Sequence, residues 1–454
     1  MKILLLVLLL FPFLANADGV TKAETFTLKN GMEVVVIPNT KMPVISHMVW
    51  YKIGAADEQL GKSGIAHFLE HLMFKATKNY KAGEFSQIIA KTGGNDNAFT
   101  NSDYTAYYQN IPKEALATAM ELESDRMQNI LFDEKEVLKE RDVILEERRM
   151  RIDNSPRSLL AEQMRATLFL NHPYMRPIIG WYHEIANLTV EDAKAWYKNY
   201  YNPANAILVV SGDITANELK PLAEKYYGKI PAGSKAIRNN FITEPKHVAA
   251  RKIEFKDSQV KKPEVSRYYL APSIIYGKKE HAYALAVLSY ILGASDTSMM
   301  YQDMVVKNKK AVSAGSYYDD LNMGPSKFIL SATPADGVSL AQIEAAFDAN
   351  INKVLEHGVD EADLIRAKKA IVAASIYARE DLKNLANMYG AAAALGLGAE
   401  YVENWDNNIN KVSREEVQAA AKEVFNSKSS VTGYLLPEEN SKAAAARHKV
   451  GKTK

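Results

Sequence analysis

Strand and helix patterns run along this chain in two stretches of similar length, divided by a polar segment from Pro231 to Lys252, and that doubling limits the folds open to it. The first stretch opens with Phe26 to Leu28, an Asn30-Gly31 turn and Val34 to Ile37, a hairpin pattern, followed by a strand over Val44 to Ile53. Helical periodicity covers 64–74, 82–91, 113–129, 134–151 and 190–200 before Ala206 to Val210 returns as a strand. The second stretch repeats the order, with strands over Glu264 to Leu270 and Phe328 to Ala332 and helices over 281–292, 340–357 and 361–388. The pattern predicts an α+β fold of two homologous halves, each an antiparallel-rich sheet layered with helices. The expected division is an N-terminal domain over 18–235, a linker over 236–250, a C-terminal domain over 251–440 and a basic flexible tail over 441–454.

None of the 454 residues is cysteine. That removes disulfides, thiol nucleophiles, iron–sulfur clusters and thiolate-held zinc, so any metal site must be built from His and carboxylates. A net charge of +2 favours no nucleic-acid partner. Met1-Lys2, the apolar run Ile3 to Leu14 and the small residues Ala15-Asn16-Ala17 have the form of a signal peptide over 1–17, cleaved before Asp18. No later run is apolar enough to span a membrane, and export without disulfides suits a periplasmic location.

The segment that carries chemistry runs from Ser63 to Phe74 and reads as a helix capped by Ser63. Ile65, Leu69, Leu72 and Met73 fall on one face, His67, Glu70, His71 and Phe74 on the other. Two imidazoles one turn apart can reach a single metal, while Glu70 is offset enough to address a water instead of the ion. The order is that of the inverted zincins, H-x-x-E-H. A catalytic zinc needs a third protein ligand, and the helical stretch 134–151 offers Glu140 and Glu147, seven apart on one face with Val143 and Ile144. Geometry favours those two carboxylates over Glu134, Glu136 and Glu146, which sit among Lys and Arg as a solvated surface would.

His67-Phe68-Leu69-Glu70-His71 followed by Glu140-Arg141-Asp142-Val143-Ile144-Leu145-Glu146-Glu147 resembles the insulinase/pitrilysin family of zinc metallopeptidases, in the branch of mitochondrial processing peptidase and its bacterial relatives. Gly93 to Thr100 with Asp103-Tyr104-Thr105, His172-Pro173-Tyr174 to Gly180-Trp181, and Tyr201 to Ala206 are similar to further landmarks of that family. The resemblance implies one Zn2+ per chain held by His67, His71 and Glu147, with Glu140 as an outer-sphere partner; Glu147 lies 76 residues past His71 (147 − 71). It implies hydrolysis of extended, unfolded peptide substrates with Glu70 as general base on a zinc-bound water, and substrate pairing with the backbone near Asn97 and Ala98. It also implies that the two halves form one bowl of a clamshell-like chamber, closed by a homodimer or by a heterodimer with a homologous companion. Relatives use an Arg/Tyr pair in the silent half to hold the substrate carbonyl; Tyr317 and Tyr318 have no Arg beside them, and Arg267-Tyr268 is a pair by chemistry alone. The alternative is a weak or inactive scaffold subunit. Gly61-Lys62-Ser63 lacks the rest of a phosphate-binding loop, and His47, His183 and His357 are isolated and read as surface or core residues.

Overall fold

A computed structural model describes residues 22–238 and 242–438; segment 1–17 and the tail 441–454 lie outside them. The strands are β1 (Glu24–Thr27), β2 (Glu33–Pro38), β3 (Val44–Tyr51), β4 (Asn95–Thr100), β5 (Thr105–Pro112), β6 (Ala206–Gly212), β7 (Arg251–Asp257), β8 (Glu264–Ala271), β9 (Ala311–Tyr318), β10 (Ser326–Pro334) and β11 (Ser430–Pro437). They make a six-stranded sheet of order β1-β2-β6-β3-β5-β4 and a five-stranded sheet of order β7-β11-β8-β10-β9. Without β1 the two orders are the same when each half is numbered from its own first strand. Each sheet has one parallel pair, β2 with β6 and β7 with β11, among antiparallel neighbours. This shared wiring identifies the halves as homologous more firmly than any residue pattern does.

The central strands read as unbroken apolar runs because both of their faces are covered. In the first sheet Val34, Val36, Val49, Tyr107, Leu208 and Val210 pack onto the helices of their own half. Their alternates Val35, Ile37, Met48, Trp50, Ile207 and Val209 face the other way, onto Leu385, Ala386 and Tyr389 of a helix, Leu382–Ala394, that belongs to the second half. The arrangement is reciprocal. The helix Pro156–Leu168 of the first half lays Leu160, Met164 and Leu168 on Tyr268, Val431 and Leu435 of the second sheet. At both crossings a glycine lets the elements close. A Cβ on Gly390 would overlap the Trp50 indole, and one on Gly433 would overlap Met164.

The single helix expected over 361–388 is in fact two, Glu361–Arg379 and Leu382–Ala394. No Gly or Pro marks the break; Asp381 caps the second helix by accepting from the Asn384 N–H at 2.8 Å. The break sends the second helix across to the first sheet. Residues 231–238 and 242–250 form no helix or strand. They are nonetheless fastened, as Arg238 donates to the Ala394 carbonyl and Glu244 accepts from the His172 N–H. No helix among the described residues is long and apolar enough to cross a membrane.

Candidate active site

The motif helix spans Ile65–Leu72, inside the expected 64–74, and buries Ile65, Leu69 and Leu72 in the first core. Ser63 does not cap it. Its hydroxyl accepts from the Trp181 N–H at 2.9 Å, and the helix start is held by Glu58, which accepts from Gly64 at 3.1 Å and Ala66 at 3.0 Å. A carboxyl oxygen on the first N–H groups does what a hydroxyl cap does. The sequence concealed this because Glu58 lies outside any capping spacing. Burial pushes the Glu58 carboxyl up to about 8, against the pull of those N–H groups and of Arg176. The folded chain therefore binds this proton more tightly than the unfolded chain, and stability falls as pH rises from the ordinary value of 4.5 through about 8. Glu58→Gln, which keeps an acceptor for the helix and cannot ionise, is expected to flatten that slope in thermal melts across the same range.

His67 and His71 project from the helix with ring centroids 4.7 Å apart. Opposite them the helix Glu134–Arg148 brings up Glu147, whose Oε2 lies 3.3 Å from His71 Nε2 and 3.6 Å from His67 Nε2. One donor atom from each of the three residues falls within 4.8 Å of the others. Glu147 Oε2 is buried and makes no well-formed hydrogen bond to either ring, whereas Oε1 is held by Arg151 Nε at 3.0 Å. An orphaned carboxylate oxygen facing two imidazole nitrogens is a fitted site for a divalent cation, and two nitrogens with one oxygen suit zinc. His71 is aligned from behind: Nδ1 meets Glu140 Oε1 at 2.9 Å, and Lys75 pairs with the other Glu140 oxygen. His67 Nδ1 has no such partner.

The charges follow this layout. Burial, helped by neighbouring His71, lowers His67 to about 4, so that ring stays neutral and able to ligate. Burial opposes protonation of His71 too, but Glu140 and Glu147 outweigh it and raise the ring to about 9. Contact with His71 holds Glu147 below the usual carboxylate range. Glu140, pulled down by His71 and Lys75 in spite of its burial, stays ionised. Carboxylate partners behind a metal-binding histidine fix its tautomer, and losing one typically weakens metal binding about 10–100-fold. Glu140→Ala is expected to weaken zinc affinity by that factor, read by competition with a chromogenic chelator.

Glu70 stands beside the three donors without joining them. It is 9% exposed, burial raises its carboxyl, and Thr100 Oγ1 donates to its Oε2 at 2.5 Å. Thr100 ends β4, the edge strand of the first sheet, so the free edge runs directly past Glu70. Asn97 and Ala98 lie on that edge, and Asn97 Oδ1 accepts from the Ala98 N–H at 2.8 Å, covering a group that an added strand would use. All of these residues line one cleft of about 1010 Å³, which also takes in Arg165 from the first half and Tyr268 and Lys327 from the second.

Arg267 and Tyr268 do not act as a pair. Consecutive strand residues point to opposite faces, and Arg267 is buried in ion pairs with Glu344 at 2.9 Å and Asp348 at 2.5 Å while Tyr268 enters the cleft. Tyr318 donates to the Pro272 carbonyl at 2.7 Å. His47 is a core residue between Gln109 and Tyr227, whereas His183 and His357 are exposed. Thr100 was in view in the sequence without a role, and Tyr268 only as a partner for Arg267; Arg151 and Lys75 gave no pattern by which to find them.

The family model described as Insulinase (Peptidase family M16) matches residues 33–180, and the one described as Peptidase M16 inactive domain matches residues 187–371. The chain is 33% identical to the zinc protease PqqE of Helicobacter pylori over 92% of this chain and 93% of that one. It is 26% identical to YmxG of Bacillus subtilis, an uncharacterized zinc protease, over 88% of this chain and 95% of that one. A crystal structure of a protease from Helicobacter pylori superposes with a TM-score of 0.86 at 32% identity, covering 92% of this chain and 100% of that one. The first half of the periplasmic protease PqqL of Escherichia coli shares the fold at a TM-score of 0.76 and 20% identity, over 95% of this chain and 97% of that one. With its doubled sheets, its His67/His71/Glu147 cluster and these relatives, the chain belongs to the insulinase family of peptidases, M16.

Proposed function

We propose that the protein is an exported, zinc-dependent endopeptidase acting on extended, unfolded peptides. The observation that carries this reading is the placing of Glu70 next to, and outside, a three-donor cluster at a free strand edge. His67, His71 and Glu147 would hold one zinc per chain, and bound zinc supplies a Lewis acid that polarises the scissile carbonyl and acidifies the attacking water. Glu70 takes the proton of that water and delivers it to the departing amine, while Thr100 fixes the orientation of the carboxylate. A substrate strand adds to β4, displacing the Asn97 side chain from the Ala98 N–H, which selects chains that can be drawn out straight. The apolar run before Asp18 and the periplasmic location of PqqL support a periplasmic home.

The open cleft supports a chamber completed by a second copy or a homologous companion. A scaffold reading is favoured by one point: neither Arg267 nor Tyr318 is free to hold a substrate carbonyl. Incubating the zinc-loaded chain alone with a mixture of unstructured peptides, and analysing fragments by mass spectrometry, separates the two. New fragments are expected. Removing zinc with a chelator is expected to stop cleavage and to lower the melting temperature, since any ligand bound only by the folded state stabilises it. Absence of fragments from folded, zinc-loaded protein overturns the self-sufficient enzyme in favour of the scaffold.

A further inference from the structure

The wall of the cleft contributed by the second half carries charge that the peptidase reading does not use. Tyr268 on β8 and Lys327 on β10 share one face of the second sheet, because Lys327 is paired with Leu270, two residues from Tyr268. Arg165, on the helix that crosses to this sheet, lines the same cleft. Its charge acts on both Tyr268 and Lys327. Neither cation makes a side-chain hydrogen bond or an ion pair among the described residues. Of the nearby carboxylates, both oxygens of Glu162 are taken by Arg148, at 2.7 and 3.0 Å, and Asp319, which lines an adjoining recess with Arg165 and Lys327 and offsets part of the charge on Lys327, makes no ion pair with it. The remaining cation of the cleft, Arg151, is held by Glu147.

Two like charges, half-buried at one corner of the cleft with no anion in an ion pair to either, are costly to keep. Burial, with Arg165 adding to it, lowers the Lys327 amine to about 8. The adjoining recess, about 120 Å³, is lined by Arg165 and Lys327 together with Asn101 and Ser102, the residues that directly follow β4. The strand edge on which a peptide would lie therefore leads into the cationic corner.

We infer that Arg165, Lys327 and Tyr268 form a carboxylate-binding subsite that selects substrates bearing an anion at a fixed distance from the scissile bond. Two sources share this chemistry, an Asp or Glu side chain and the free carboxylate at a peptide C-terminus. The inference rests on the peptidase reading for the direction in which peptide lies, but its test needs no turnover. Labelled peptides are titrated into the zinc-loaded Glu70→Gln chain: a neutral, amidated parent, the same peptide with a free C-terminus, and a set with Glu moved along the sequence. One acidic form is expected to bind at least about tenfold tighter than the parent, the scale of a charge-assisted hydrogen bond. The form that gains names the source.

In the Arg165→Gln/Lys327→Gln chain the ratio of acidic to neutral affinity is expected to fall to about one, and Arg165→Lys, which keeps the charge, is expected to retain part of it. Equal affinities for all forms, a preference that survives the double substitution, or no binding of any peptide would overturn the subsite. Cleavage of the neutral parent by the unsubstituted chain reports on the peptidase reading separately.

Discussion

Glu70→Gln is expected to lower peptide turnover by about 10²–10⁴-fold while zinc stays bound at one per chain, the range that a general base contributes. The side chain keeps its shape and its bond from Thr100, so neither the motif helix nor the edge strand should move. What it loses is the ability to accept a proton. Glu70 is also absent from the cluster of possible donors, so metal content, read by elemental analysis, should match the parent chain. His71→Ala is the contrasting substitution. It removes a donor and at once leaves Glu140 and Glu147 facing each other without the ring that separates them, so both zinc and turnover should be lost. Glu70→Gln protein that cleaves at the parental rate would sink the proposed chemistry. Loss of zinc in Glu70→Gln would instead move Glu70 into the ligand set.

The grouping of possible donors was legible in the sequence because it obeys local periodicity. His67 and His71 are one turn apart, and Glu140 and Glu147 two turns apart, so helical geometry alone brings each pair onto a face. What decides between Glu140 and Glu147 is not local. It depends on how the helix Glu134–Arg148 is rotated against the motif helix, and there Lys75 and Arg151 sort the two carboxylates by holding one behind His71 and the other beside both rings. The helix Leu382–Ala394 illustrates the opposite limit. Its apolar residues continue the pattern of the helix before it, so nothing in the periodicity reveals that its partners are Trp50, Val35 and Ile207, more than three hundred residues earlier in two of the cases and nearly two hundred in the third. Glu58 and the corner of Arg165 and Lys327 were hidden for the same reason, since their meaning lies in what they face.

That exchange of helices is also where one added atom should matter most. In an exposed helix a Gly→Val change is close to neutral or better, because valine restricts the unfolded chain. At Gly390 the expected sign reverses. The first carbon of any side chain there falls on the Trp50 ring, and Trp50 is wholly buried, on a strand paired on both sides, with Phe99 and Tyr104 packed edge-on at 5.3 and 4.9 Å. The ring has nowhere to go, so the helix must retreat and open the layer of Leu385, Ala386 and Tyr389. Overpacking a well-filled core typically costs about 1–3 kcal/mol, and Gly390→Val should lie at or above the upper end, seen as a large fall in melting temperature. Trp50→Leu would remove the obstructing atoms at a cost of its own, yet in the Gly390→Val background it should cost less than it does alone. Additive losses from the two substitutions would mean that the helix does not bear on Trp50, and the reciprocal crossing would then not be what joins the two halves.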